Sequence, residues 1–371
     1  MARAVTAYCD HNAGSPVRPE ALEALRHALS LGGNPSSVHR AGRAARALME
    51  DAREHLAGAV NAHPENIAFA SGATEALHLA IEAARGEARS FLYSAIEHDA
   101  VADHAPRAWP GAQAIPVTGA GIVDLAALER ILADAAKPAL VAVMLANNET
   151  GIVQPIGEVA RRVREAGGLL LVDAAQAFGK IPVDVVALDA AYVVVSSHKI
   201  GGPPGAGALI LAPGAPFRPA RGGGGQERGR RPGTENVPAI AGFGAAVRAP
   251  DVVSEFRDAF ERALRARWPA IELVGAAAPR LPNTSLFVLP HMKAETAVIA
   301  FDLADVCVSA GAACSSGKVR SSRVLEAMGA PLHWRTNAVR ASFGWNSTHA
   351  DVDALLAALE RIMARTPELT P

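Results

Sequence analysis

Short apolar runs recur along the chain, each closed by small or polar residues: NIAFA, SFLYSA, ALVAVML, LLLVDA, AYVVVS and GALILA. Their length and β-branched content predict strands. Between them, apolar and alanine positions recur at helical spacing over Pro19–Leu29, over Ser37–Asn61 and in EALHLAIEAAR. Runs that are apolar throughout belong to strands covered on both faces. Strands alternating with helices predict an α/β fold with a mostly parallel sheet. The rhythm changes after about Pro250, where a long helix over Asp251–Arg267 leads into IELVGA, NTSLFVLP, the helix KAETAVIAFDLA, VCVSAGA and AVRASFG. That part reads as a smaller α+β domain. The expected division is a large domain over residues 12–250 and a small domain made of residues 1–11 and 251–371.

Composition excludes several classes. The 371 residues are half hydrophobic, enough for a large core. Lysine and arginine number 36 against 37 aspartates and glutamates. That balance offers no global charge to hold nucleic acid or an anionic membrane. Cys9, Cys307 and Cys314 form no CxxC pair and no metal framework, and so sparse a set fits a reducing cytosol. The opening MARAVTAYCDHN lacks the apolar core of a signal peptide. No run approaches the ~20 apolar residues of a membrane helix. A soluble, cytoplasmic protein without a metal is expected.

The chemistry lies in the residues just beyond each strand. In open parallel sheets, ligands sit at the carboxyl ends of the strands. NIAFA is followed by Ser71, Gly72, Ala73 and Thr74, SFLYSA by Glu97 and His98, and ALVAVML by Asn147, Asn148 and Glu149. LLLV is followed by Asp173 and Gln176, and AYVVV by Ser196, His198 and Lys199. Every cluster falls on the same edge. Lys199 is then followed by the stiff run IGGPPG, a setting that a solvated lysine would not need. A lysine forms a Schiff base with an aldehyde cofactor. Pyridoxal phosphate also needs a carboxylate at its pyridinium nitrogen, a role that suits Asp173. The helix opening at SGATEAL is a natural anion site for the phosphate. His98 can stack on the ring and move protons. Taken singly, such residues are caps, turns or solvated charges; their convergence on one edge gives them meaning. Two nucleotide-binding readings fail. GAACSSGK has one residue too many between its glycines for a P-loop, and Val319 stands where Ser or Thr is needed. GGGGQERG does not join a strand to a helix in a first βαβ unit.

These motifs resemble the cysteine desulfurases of the NifS/IscS type, in the class V aminotransferase group of fold type I pyridoxal-phosphate enzymes. The resemblance runs along nearly the whole chain: YCDHNAGSPV, GGNPSSVHRAGRAARALMEDAR, FASGATEALHLAI, EHDAV, NNETGIVQPI, VDAAQAFGKIPVDV, SSHKIGGPPGAG, GGGQERGRRPGTEN, LPNTSLFV, SAGAACSSG and VRASFG. It implies a mostly parallel seven-stranded sheet covered by helices, with the catalytic cysteine loop in the small domain. Lys199 would carry pyridoxal 5'-phosphate, Asp173 would pair with its ring nitrogen, and Gln176 and Asn148 would sit near its ring hydroxyl. Ala73, Thr74, Ser196 and His198 would bind the phosphate. Thr234 would reach the phosphate of a neighbouring subunit, which makes the expected enzyme a homodimer. Asn34 and Arg340 would hold the substrate carboxylate, for which an arginine fork is suited.

The resemblance makes Cys314 the nucleophile that takes sulfur from free L-cysteine as a persulfide, releasing L-alanine. The sulfur would pass to a protein acceptor, a scaffold or carrier, for iron–sulfur cluster or other thio-cofactor synthesis. His98 would take or manage the thiol proton. The small residues of SAGAACSSG suit a thiol that must visit a substrate and then an acceptor, and Lys318 and Arg320 are candidates for lowering its pKa. Cys9 and Cys307 are expected to be packing residues. Cys9, the Gly14-Ser15 pair and the stretch KVRSSR depart from the usual family pattern. Two other readings need less: another pyridoxal-phosphate reaction, such as transamination or selenocysteine cleavage, gives Cys314 no essential role, and a non-enzymatic cofactor-binding regulator predicts lost site residues.

Overall fold

The structure, a computed structural model, describes residues 7–249, 254–311 and 321–364. Strand β1 (Ala7–Tyr8) is the first element of the described residues. The main sheet contains β2 (Ile67–Ala70), β3 (Ser90–Ser94), β4 (Gln113–Ile115), β5 (Ala139–Met144), β6 (Leu169–Asp173), β7 (Tyr192–Ser196) and β8 (Gly207–Leu211). Its order is β2-β8-β7-β6-β5-β3-β4. Alternate residues of one strand enter two different cores. Val141 and Val143 join the cluster that includes Ile67, Leu170 and Val193, whereas Leu140 and Ala142 pack with Phe91, Leu171 and Tyr192. Burial on both faces is why these strands are apolar throughout.

The sequence pattern leaves two features of this sheet unseen. Strand β4 gives no signal in the sequence, since two of its three residues are exposed and it carries no apolar run. Strand β8 runs antiparallel to both β7 and β2, in a sheet otherwise parallel. The connection from β7 is too short for a crossover helix, so the chain has to double back. It does so through IGGPPG, where Gly201 (φ 82°) and Gly205 (φ 85°) take the left-handed conformation that side chains disfavour. A Cβ on Gly201 would lie 2.7 Å from Arg18 Cγ. The stiffness after Lys199 is thus a tight return that fixes the strand end.

A second sheet, β12 (Ser309–Ala310), β13 (Ala338–Ser342), β10 (Thr284–Val288) and β9 (Glu272–Leu273), is antiparallel throughout. β1 pairs in parallel with β11 (Val306–Cys307). These strands and helices Ser254–Arg267, Ala294–Asp302 and His349–Ala364 share a separate apolar core that contains Phe260, Phe287, Phe301 and Phe343. Cys9 is buried in it, and burial pushes its thiol pKa far up. Cys307 is half-buried, because its strand has only β1 beside it. Among the described residues, no helix is long and apolar enough to cross a membrane.

Candidate active site

A cavity of about 1020 Å³ lies at the carboxyl ends of β3, β5, β6 and β7. Helix Ala73–Ala84 points its N-terminus at it, with Gly72, Ala73 and Thr74 in the wall. No side chain caps that helix, so its first N–H groups and the positive end of its dipole are available to an anion. Beside it, Ser196 Oγ lies 3.0 Å from His198 Nδ1. Burial lowers the His198 pKa to about 4, with the charges of Lys199 and Lys180 adding to the effect.

Lys199 emerges from the end of β7. Its Nζ donates to the carbonyls of Asn12 (2.5 Å) and Ala13 (3.0 Å). Burial, then the Arg340 charge, lowers its pKa to about 8, against the opposing pull of Asp10 and Asp173. A lysine poised there spends a useful fraction of its time as the free amine. Asp173 ends β6. Its Oδ1 accepts from the Ala175 N–H at 2.9 Å. Burial raises its pKa, while that hydrogen bond and the positive charge available from His98 and Lys199 favour the carboxylate.

His98 caps the short helix Asp99–Ala102. Its Nδ1 accepts from the Ala100 N–H at 3.0 Å. That bond places the proton of the neutral ring on Nε2, so His98 faces a ligand as a donor first. Two further buried carboxyls lie in the same wall. Glu97 Oε1 accepts from the Met144 N–H (2.6 Å), and its buried Oε2 has no partner among the described residues. Glu149 accepts from Ser322 Oγ at 2.6 Å, and burial raises its pKa to about 7.

Arg340 projects from β13 and is 1% exposed, so it is no surface ion pair. Its Nη2 donates to Asp10 (2.7 Å) and its Nη1 to the Asn148 carbonyl (2.9 Å). Its buried Nε has no partner among the described residues. The lysine, the buried carboxylate at a neighbouring strand end, the open helix N-terminus and an arginine with an uncommitted donor form a donor set that fits pyridoxal phosphate and an amino acid. The volume is sufficient for both.

Lys199, Asp173, Gln176, Asn148, Ala73, Thr74, Ser196, His198, His98 and Arg340 all line this one cavity. Asn34 and Thr234 do not. Both are exposed, and Asn34 Oδ1 accepts from the Ser36 N–H instead (2.8 Å). Cys314, Lys318 and Arg320 lie outside the described residues. Sequence reasoning passes over Asn12 and Lys180. Asn12 is buried and hydrogen-bonded to both sheets' surroundings, and Lys180 Nζ reaches Gln176 and Asn12. Lys180 stands four residues after Gln176 in a turn that forms no helix and contains the left-handed Gly179, so no periodicity signals that the two meet. Among the described residues, no cluster of three or more His, Cys, Asp or Glu is disposed to hold a metal ion.

Residues 7–355 match the model of the family described as aminotransferase class-V. A cysteine desulfurase of Cereibacter sphaeroides is 40% identical, over 98% of this chain and 97% of that protein. The solved structure of a NifS-like protein from Rickettsia africae superposes with a TM-score of 0.89 at 33% identity, covering 96% of this chain and 99% of the other. A structure described as SspA in complex with cysteine superposes with a TM-score of 0.80 at 27% identity, covering 91% and 99%.

Proposed function

The chain belongs to the class-V aminotransferase family, among its cysteine desulfurases of the NifS/IscS type, and from this premise we propose that its cavity binds pyridoxal phosphate and L-cysteine and that Cys314 removes the sulfur. The observation that carries the reading is Lys199 and Asp173 at neighbouring strand ends of one cavity, with the buried Arg340 in its wall. Lys199 would hold the cofactor, Asp173 would meet its ring nitrogen, and the N-terminus of helix Ala73–Ala84 with Thr74, Ser196 and His198 would take its phosphate. Gln176 and Asn148 would serve its ring hydroxyl. Arg340 binds the substrate carboxylate, and its contacts to Asp10 and the Asn148 carbonyl hold the guanidinium in place. When bound, the cofactor supplies an electron sink for the carbon that bears the substrate amine.

Lys199 Nζ, lowered in pKa, takes the proton from that carbon. His98, whose Nε2 carries the ring proton, gives that proton to the carbon released from sulfur and takes the substrate thiol proton in its place, so the ring ends as it began. The Cys314 thiolate attacks the substrate sulfur. An S–S bond forms as the C–S bond breaks, and the bonding pair stays with carbon, which on protonation becomes alanine. The persulfide left on Cys314 passes its outer sulfur to an acceptor protein or, in a test tube, to a thiol reductant. Thr234 and Asn34, exposed in the single chain, complete the site in a homodimer, with Thr234 reaching the neighbouring phosphate. The large domain of residues 12–250 holds the cofactor; residues 1–11 and 251–371 carry Cys314. A cytoplasmic enzyme supplying sulfur for iron–sulfur clusters or thio-cofactors fits this chemistry.

The test is alanine and sulfide release from L-cysteine with a thiol reductant, in wild type and Cys314→Ala. Wild type is expected to make both products and the variant neither. Equal alanine release from the two proteins would show that the site performs a different pyridoxal-phosphate reaction.

A further inference from the structure

We propose that Lys180 is a positioning residue of this site, which fixes the end of the Gln176 amide that meets the ligand and holds the Asn12 segment that receives Lys199. The inference rests on the reading of the cavity as a pyridoxal-phosphate site. Lys180 stands four residues beyond Gln176, in the turn after β6. Its Nζ donates to Gln176 Oε1 (2.8 Å) and to Asn12 Oδ1 (2.9 Å). Gln176 Nε2 in turn donates to the Asn12 main-chain carbonyl (2.9 Å). An ammonium only donates and a peptide carbonyl only accepts, so both neighbours select the same amide orientation. With its oxygen engaged by Lys180, Gln176 meets a ligand through its remaining N–H.

The same lysine steadies Asn12. The Asn12 side-chain oxygen also accepts from Asn283 Nδ2 (3.1 Å), and its nitrogen donates to Thr284 Oγ1 (2.9 Å) and to the Asn148 carbonyl (3.2 Å). The Asn12 carbonyl is where Lys199 Nζ rests. One cation thus orients both the amide beside the ring hydroxyl and the peptide that parks the catalytic amine. Its field is felt nearby, since the Lys180 charge contributes to the lowered pKa values of His11 and His198. An N–H donor backed by a positive charge favours an oxyanion over a hydroxyl at the group it meets.

The experiment is a pH titration of the visible band of the holoprotein, comparing wild type with Lys180→Met. Losing the cation and releasing the amide both favour the protonated chromophore, so the midpoint is expected to rise by roughly one pH unit. Lys180→Arg keeps the charge and should lie nearer wild type. Lys180→Gln is neutral but still able to donate to Gln176; its midpoint should rise less than that of Lys180→Met, and it replaces that variant if the latter does not fold. A normal band with an unmoved midpoint in the neutral variants overturns the proposal alone. Wild-type protein that shows no visible band after incubation with pyridoxal phosphate overturns the reading of the cavity, and the proposal with it.

Discussion

The Glu97 carboxyl is fully enclosed, and burial, followed by the nearby Asp173 charge, pushes its pKa up to about 8. The Met144 N–H and Arg323 pull the other way without cancelling this. At neutral pH the side chain therefore keeps its proton, whereas in the unfolded chain it loses it near pH 4.5. Between those values the native state binds more protons than the unfolded state, so this group makes stability fall as pH rises, and its contribution is lost above pH 8. The wild type should lose roughly 2–4 kcal/mol from this source between pH 5 and pH 8. Glu97→Gln keeps an acceptor for Met144 and cannot ionise, so it should lack that part of the slope. Urea unfolding at the two pH values reads the difference, and identical slopes would refute the assignment. The chain order shows Glu97 beside His98 at a strand end, but its protonation depends on how completely packing removes water.

Among the elements, helix Arg40–Ala59 shows how a buried charge fixes a loop. Arg53 is 1% exposed and grips Glu227 through both terminal nitrogens (2.8 and 2.9 Å). Glu227 also accepts from the Phe69 N–H at 2.8 Å, and the guanidinium lies 4.7 Å from the Phe69 ring centre. Glu227 and its neighbour Arg228 both have left-handed backbones, at φ 49° and 58°, unfavourable for side chains of this kind. The ion pair and the hydrogen bond to β2 hold that strained turn at the root of the loop that carries Thr234. Arg53→Met strands the glutamate charge and should cost about 3–5 kcal/mol of unfolding free energy. Arg53→Met combined with Glu227→Gln should cost less, because no bare charge remains. A double variant no more stable than the single one in urea would argue against the charge explanation. The helical spacing around Arg53 is legible in the sequence; its partner, 174 residues away, is not.

For the whole molecule, the decisive join is the segment after β1. Asn12 bonds to Thr284 and Asn283 from the second sheet's side, to Asn148 from the loop after β5, and to Lys199 and Gln176 from the main sheet's edge. Its own N–H donates to Ser342 Oγ. Asn12→Ala removes the side-chain bonds to Thr284, Asn283, the Asn148 carbonyl and Lys180, each of which keeps another bond, so each loss should cost about 0.5–1.5 kcal/mol. The two cores should then unfold less cooperatively. The measurement is urea unfolding followed by far-ultraviolet circular dichroism and by tryptophan fluorescence. The two curves should separate in the variant; curves that stay coincident would show that other contacts suffice to couple the sheets.

The sequence by itself determined the α/β class, six of the seven main strands, and the edge on which the polar residues collect. These follow from local periodicity and from the polarity of a parallel strand, which sends each chain segment out at the same side. It also carried the family resemblance, motif by motif. Tertiary structure alone decided that β8 turns back antiparallel, because the available length and two left-handed glycines set that return. It likewise decided that Arg340 is buried against Asp10, that Lys180 and Asn12 brace the site, and that Glu97 is held as a neutral acid. Those properties depend on which distant segments meet and on how much water they exclude, and neither is written in any single stretch of chain.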